Sequence, residues 1–375
     1  MSKENILSKI SKMSEEELIN LACNTSDVEI LNKLTENANC EVRCTVAKNK
    51  NTPANMLTML TQDKDEVVRS GVALNGNTSV DVLAMLASDK CWWVRSAVAK
   101  NKNTSVETLA MLAKDEDIVV RSAVAANENT PVEALVMLAP DEHRLVREQV
   151  AENKNTPVAL LTALAKDEKG DVRCAVANNR NTPVNVLAML AKDENRNVRC
   201  TVTNNRNTSA DVLAMLAEDE YFFVRCAVAA NENTSVDVLA MLASDKDWWV
   251  RSVVARNKNT PIEFLTVLAQ DEVWSVREQV ALNESTSAEL LAVLANDDVY
   301  EVRTAVATNG NTSADVLAML AEDKYFFVRC AVAENENTPK EALVMLSKDN
   351  NAWVSEKAEE ALQERTVKKE QNIGR

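Results

Sequence analysis

Two columns of charge stand out in this sequence. Arginine follows valine at Arg43, Arg69, Arg95 and onward to Arg329, twelve times at an unbroken interval of 26 residues. Aspartate recurs at the same interval from Asp63 to Asp349, also twelve times. Guanidinium and carboxylate groups in such numbers could hold phosphate, take a cation or move protons. A residue found at one place in every unit, however, serves what every unit shares, which is the joining of units. Pairing Asp63 with Arg69 inside one unit would leave Arg43 opposite Asn37 and Asp349 opposite Ser355. Pairing each arginine with the aspartate of the next unit, Arg43 with Asp63 through Arg329 with Asp349, uses all of them. The arginine is therefore expected to bridge units, its planar fork bonding carboxylate and carbonyls together.

The remaining chemistry is sparse. His143 is the one histidine, so a mechanism that needs several imidazoles is excluded. There is no H-E-x-x-H, no glycine-rich phosphate loop and no nucleophile–base spacing. The eight cysteines lack paired C-x-x-C spacing, which suits a reducing, cytoplasmic setting. Cys174, Cys200 and Cys226 fall one per unit. Stacked helices sit about 8–10 Å apart, whereas each ligand of a zinc lies about 2.3 Å from the metal, so these thiols are expected to pack rather than ligate. Cys23, Cys40 and Cys44 lie closer in sequence but have no fourth ligand nearby. No enzyme activity, cofactor or metal is expected.

The elements that position these columns follow from the period. Leu57, Leu83 and their successors to Leu343 form one apolar column, and Leu60 to Leu346 another. Each unit reads as two short helices. The first opens at Thr78-Ser79-Val80-Asp81 or Thr130-Pro131-Val132-Glu133, where the threonine hydroxyl is expected to cap and the acidic residue to complete a capping box. The second starts near Asp89, expected as its cap. It turns Val94, Ala97 and Val98 inward and ends at Asn101, a residue type that tolerates the left-handed conformation. Neither helix reaches the roughly 12–15 residues that an isolated helix needs, so stacking must stabilise both. Small residues such as Ser96, Ala97 and Ala99 allow close approach, and the core is expected to be a thin slab of Leu, Val, Ala and Met. Residues 1–25 read as a polar N-terminal cap, 26–355 as the array of about twelve units, and 356–375 as a capping helix with a disordered tail from 367. No run of apolar residues is long enough to span a membrane, and the charged N-terminus does not read as a secretory signal.

The unit V-R-x-A-V-A-x-N-x-N-T-P-x-x-x-L-x-x-L-A-x-D resembles the leucine-rich repeat variant family, and the spacing of Asp63, Val68 and Arg69 resembles HEAT repeats. The resemblance covers about residues 26–355. It implies an all-α fold, a right-handed α-solenoid of stacked two-helix repeats with one helix short or of 3₁₀ type, used as a binding scaffold. Some members of the family carry a cysteine-rich, cluster-binding N-terminal segment; this chain has no such cysteine run, and that property is not carried over.

Where the units differ is where function is expected. Aromatic residues are only 4% of the chain, and thirteen of the fourteen fall in the three positions before each Val-Arg. They are Trp92, Trp93, Tyr221, Phe222, Phe223, Trp248, Trp249, Trp274, Tyr300, Tyr325, Phe326, Phe327 and Trp353; only Phe264 lies elsewhere. Three successive residues on a helix point about 100° apart, so Tyr221, Phe222 and Phe223 cannot all face a core. The same columns also accept Asp, Lys, Arg and Gly. An exposed aromatic stripe is what a protein-binding hot spot uses, and rings filling the groove between units are the alternative. A second feature is a basic row, Lys154, Arg180 and Arg206, in a stretch that carries nine basic and five acidic residues inside a chain of net charge −15. The function expected is a protein- or peptide-binding scaffold. Nucleic-acid binding by base stacking is the alternative, opposed by the acidic charge, and a mechanical spacer is a third reading.

Overall fold

The computed structural model describes residues 7–373, with side chains to residue 366. Among the described residues every regular element is helical, and the repeat is a pair of α-helices. The chain divides into two compact units, Met1–Leu190 with Asn205–Asn207, and Ala191–Asn204 with Thr208–Arg375. Each is a solenoid of stacked repeats. In the first, Val80–Leu86 and Trp92–Lys100 make one repeat; in the second, Val236–Leu242 and Trp248–Arg256 make another. The first helix of each pair is α, only seven residues long. The 3₁₀ form is seen instead at Ile10–Lys12. Second helices stack on second helices, as Cys40–Lys48 does on Glu66–Leu74 and Trp248–Arg256 on Trp274–Leu282.

The apolar columns face inward as their spacing requires. Val82, Leu83 and Leu86 are buried on the first helix, and Val94, Ala97, Val98 and Ala99 on the second. Methionine departs from expectation. Met59, Met85, Met111, Met137, Met189 and their equivalents in the second unit are exposed, and the core is built from Leu, Val and Ala, with Met56 buried. A two-turn helix offers a stripe about three residues wide to its neighbours, and the leucines already fill it.

The charge ladder has the bridging register. Arg69 donates from Nε and Nη2 to the Asp89 carboxylate of the next repeat at 2.6 and 3.0 Å, and from Nη1 to the Asp63 carbonyl of its own repeat at 2.8 Å. The same fork joins Arg43 to Asp63 and Arg147 to Asp167 in the first unit, and Arg199 to Asp219 and Arg329 to Asp349 in the second. Asp89 is not the helix cap that the sequence suggests. Its Oδ1 accepts the N–H of Cys91 at 2.9 Å, fixing the turn that precedes the second helix. Where Cys91 is replaced by a residue with an acceptor, that residue caps: Asp247 accepts from Trp249, and His143 from Leu145. The first helix is capped one residue later than its sequence suggests. Ser79 accepts from Val82, while the buried Thr78 hydroxyl donates to the Val72 carbonyl at 2.6 Å.

The asparagine column also differs. Asn101 has extended backbone, φ −74° and ψ 132°, and no described non-glycine residue has positive φ. Its side chain does the work. Nδ2 donates to the Ala73 and Asn75 carbonyls of the preceding repeat at 2.7 and 3.0 Å, and Oδ1 accepts the Asn103 N–H at 2.8 Å. Replacing Asn101 with alanine strands buried carbonyls at the end of one helix and an N–H in the next loop. We expect a loss of about 1–3 kcal/mol, read as a lower urea midpoint, whereas Asn103→Ala at the exposed rim should cost less.

The Glu15–Asn24 helix opens the array with a capping box, Ser14 and Glu17 bonding each other's N–H groups, and its end supplies the Ala22 and Thr25 carbonyls to Asn49. At the other end the Ala352–Ile373 helix runs on through the segment expected as a tail; residues 1–6 and 374–375 lie outside the described residues. No described helix is long and apolar enough to cross a membrane.

Candidate functional site

The variable triplets occupy the N-cap, N1 and N2 positions of the second helices. The framework places them there. Asp219 Oδ1 accepts the Tyr221 N–H, Asp245 that of Asp247, and Asp323 that of Tyr325, at 2.8–2.9 Å. The carboxylate that closes the inter-repeat ion pair therefore also sets where each triplet begins. The N-cap ring then lies against the preceding repeat: Tyr221 faces the Arg199 guanidinium at 5.7 Å and Arg196 at 5.0 Å, and Tyr325 faces Arg303 at 5.7 Å. These cation–π contacts run between repeats.

None of the thirteen aromatics belongs to the core. Trp92, Trp93, Tyr221, Phe223, Trp248, Trp249, Trp274, Tyr325, Phe327 and Trp353 are exposed, and Phe222, Tyr300 and Phe326 are half-buried. Phe223 and Trp353 are 60% and 64% accessible, values no groove-filling ring would show. Most rings pair inside their own repeat. Trp92 and Trp93 meet edge to face, as do Trp248 and Trp249, while Phe222–Phe223 and Phe326–Phe327 share one geometry with centroids 4.0 Å apart. Contact between repeats occurs at Tyr300, whose ring stacks on Tyr325 at 4.7 Å and on Phe327 at 6.0 Å.

Two shallow grooves lie between second helices of the second unit. One, of about 270 Å³, runs past Trp248, Trp249, Val253, Arg256 and Glu278. The other, of about 260 Å³, is lined by Glu278, Leu282, Tyr300, Glu301, Thr304 and Phe327 among others. Burial first, and then the neighbouring Glu301 charge, push the Glu278 carboxyl above its usual range. Neither glutamate draws attention in the sequence, because each is one acidic residue in a variable column; only the stacking brings them to one groove. The exposed methionine column was likewise missed, its period having been assigned to the core.

The basic row lies in the first unit. Lys154 is paired with Glu128 at 2.6 Å, and among the described residues Arg180 and Arg206 have no acidic partner. Lys154 and Arg180 border a groove of about 410 Å³ with Glu152, Asn178 and Asn181.

One repeat is enough to decide the type of unit. A family model described as leucine rich repeat variant matches the Asp…Val-Arg-containing stretch 118–143. Residues 118–143 are a leucine-rich repeat variant unit. The whole chain is similar to a solved structure described as a leucine-rich repeat variant with a novel repetitive structural motif, at 28% identity and a TM-score of 0.47, over 59% of this chain and 87% of that one. It is also similar to two karyopherin structures. One is of Kap95p, whose binding induces the switch loops of RanGDP to adopt the GTP-bound conformation, at 12% identity and TM-score 0.42 over 93% of this chain and 60% of that one. The other is Kap121p bound to the extreme C-terminus of the protein phosphatase Cdc14p, at 13% and 0.44 over 96% and 51%. The chain thus spans 60% and 51% of those two chains. No curated protein matches. Within the leucine-rich repeat variant units the cysteines are packing residues. Cys44 and Cys226 are buried, and burial holds the Cys226 thiol up at about 12, far from the thiolate that ligation or nucleophilic attack requires. Gly71 shows how tightly second helices meet there: a Cβ would come within 3.1 Å of the Ala47 side chain and 3.2 Å of the Cys44 carbonyl. Among the described residues no three His, Cys, Asp or Glu side chains converge as metal ligands.

Proposed function

We propose that this protein is a non-enzymatic protein- or peptide-binding scaffold that holds its ligand on the aromatic first turns of successive second helices. The observation that carries this reading is that the repeats are complete without the aromatics. The core is Leu, Val and Ala, and the inter-repeat bonds come from Arg, Asp and Asn. Thirteen rings are left partly or largely in water, which is costly unless something covers them. Tyr221 through Trp353 in the second unit form the principal anchor, with Trp92 and Trp93 a separate site in the first. Arg180 and Arg206 orient the ligand through an acidic segment, acting more on association rate and salt dependence than on final affinity.

The test is affinity capture from the native source with mass spectrometry. The wild-type chain is compared with a chain whose second-unit aromatics are polar. A protein retained by the first and lost from the second identifies the partner. Equal retention by both would remove the aromatic face from the function. A shift of nucleic acid by the wild-type chain at low salt, lost in the same variant, would replace the protein reading with the nucleic-acid one.

A further inference from the structure

We propose that the groove between the Trp274–Leu282 and Tyr300–Thr308 helices takes the side chain of one arginine of the bound peptide. This deepens the scaffold reading and rests on it. The groove combines the three features that a guanidinium on an alkyl stem selects. Its floor is apolar, from Leu282 and Ala305, suited to methylenes. One wall is aromatic, the stacked pair Tyr300 and Phe327. The remaining lining is acidic, Glu278 and Glu301. Its volume of about 260 Å³ is that of one long side chain rather than of a drug-sized ligand.

Charge complementarity decides the occupant. Among the described residues neither Glu278 nor Glu301 is ion-paired, and the hydrogen bond from the Tyr300 hydroxyl to Glu301 pushes the tyrosine pKa up, as a free carboxylate does. Arg303 and Lys324 lie over the Tyr325 ring and do not line the groove. The molecule contains its own comparison. The sequence V-R-E-Q-V occurs twice, and Glu148 of the first copy holds the position of Glu278. Burial and then Glu152 and Asp171 raise the Glu148 pKa, but Arg144 lowers it, so that site carries its own cation. The groove beside Trp248 and Trp249 likewise contains Arg256. The Glu278–Glu301 groove has the acids and the rings without the cation. Arginine fits better than lysine because its plane stacks on a ring while its edge forks to carboxylate.

The experiment uses the full chain and a fluorescein-labelled heptapeptide with two arginines in a Gly/Ser background, read by fluorescence polarisation. A citrulline version has the same shape without charge, and a lysine version has the charge without the plane. The arginine peptide should bind about tenfold tighter than the citrulline peptide, with lysine between them. Glu278→Gln with Glu301→Gln should erase the difference at unchanged circular dichroism. Glu133→Gln with Glu341→Gln removes as much charge from exposed first helices and should preserve it. Equal binding of arginine and citrulline peptides overturns the proposal, as does equal loss in the two double variants. If the native partner is lost on changing the aromatics but kept by Glu278→Gln/Glu301→Gln, the arginine assignment falls while the scaffold reading stands; if both variants keep it, both fall.

Discussion

Changing Trp248, Trp249, Phe326 and Phe327 together to glutamine should abolish capture of the partner while leaving helical content and thermal transition nearly as they are. The structure separates the two effects. Trp249 and Phe327 are 50% and 47% exposed, and Trp248 and Phe326 sit beside them at N1 without entering the core, so little apolar burial is lost. The bonds that form the helix start are backbone bonds to Asp247, Asp245 and Asp323, all of which survive the changes. Glutamine is a better helix former than either aromatic, which offsets part of what is lost. Binding has no such compensation. Aromatic anchors dominate interface energetics, and removing one at the centre of a contact typically costs 2 kcal/mol or more. Four together therefore take a micromolar interaction beyond detection. The measurement is capture on immobilised protein beside circular dichroism and a melt of the same preparations. Unfolding of the variant array would show instead that these rings hold the repeats together, and the proposed site would fall with that result.

How much of this was legible in the sequence depends on the range of the interaction. Columns that face a core declare themselves by apolar spacing, so Leu83, Leu86, Val94 and Val98 were found. The Arg–Asp register was found by counting alone, since only one pairing leaves no residue over. What local rules describe poorly is a side chain whose partner lies a repeat away. Asn101 looked like a left-handed helix end because asparagine tolerates that conformation. In the structure its amide reaches back to Ala73 and Asn75, and the backbone stays extended. Thr78 looked like a cap because threonines cap helices, yet its hydroxyl satisfies the Val72 carbonyl and leaves capping to Ser79. Met85 kept the period of a core residue and is exposed, because period shows a shared environment without showing which one. The aromatic triplets were recognisable as unusual, but their exposure came from coordinates. Glu278 and Glu301 became a pair only when their helices were stacked.

Breaking one rung of the charge ladder should have the largest effect on stability. Arg225 and Asp245 have side chains only 6% and 8% exposed, which puts them among buried ion pairs rather than surface ones. Arg225 makes two bonds to Asp245 and two to the Asp219 and Glu220 carbonyls. Removing one partner leaves the other charge buried and alone, at a cost of about 3–5 kcal/mol. Arg225→Met and Asp245→Asn should both fall in that range. Arg225→Lys should recover little, because a point charge cannot fork to the carboxylate and reach the carbonyls. Arg225→Met with Asp245→Leu should be less damaging than either single change, since no charge is then stranded. Because repeats touch only their neighbours, hydrogen exchange should rise first around residues 219–249 and not along the whole chain. Acid should reproduce the effect. Burial alone would raise the Asp245 pKa, but the Arg225 guanidinium and the Asp247 N–H outweigh it and hold the carboxyl below its usual range; Asp89, Asp115, Asp271 and Asp323 behave alike. A carboxyl depressed by folding adds its stability above the unfolded value of about 3.9 and loses it as pH falls through the folded one. Stability should therefore hold from neutrality to about pH 4 and collapse below, more steeply for the wild type than for the double variant, which has one such carboxyl fewer. Asp245 also fixes the start of the Asp247–Trp249 triplet, so Asp245→Asn should weaken partner capture at temperatures where the array is still folded. Loss of stability with full capture would detach the ladder from the binding face.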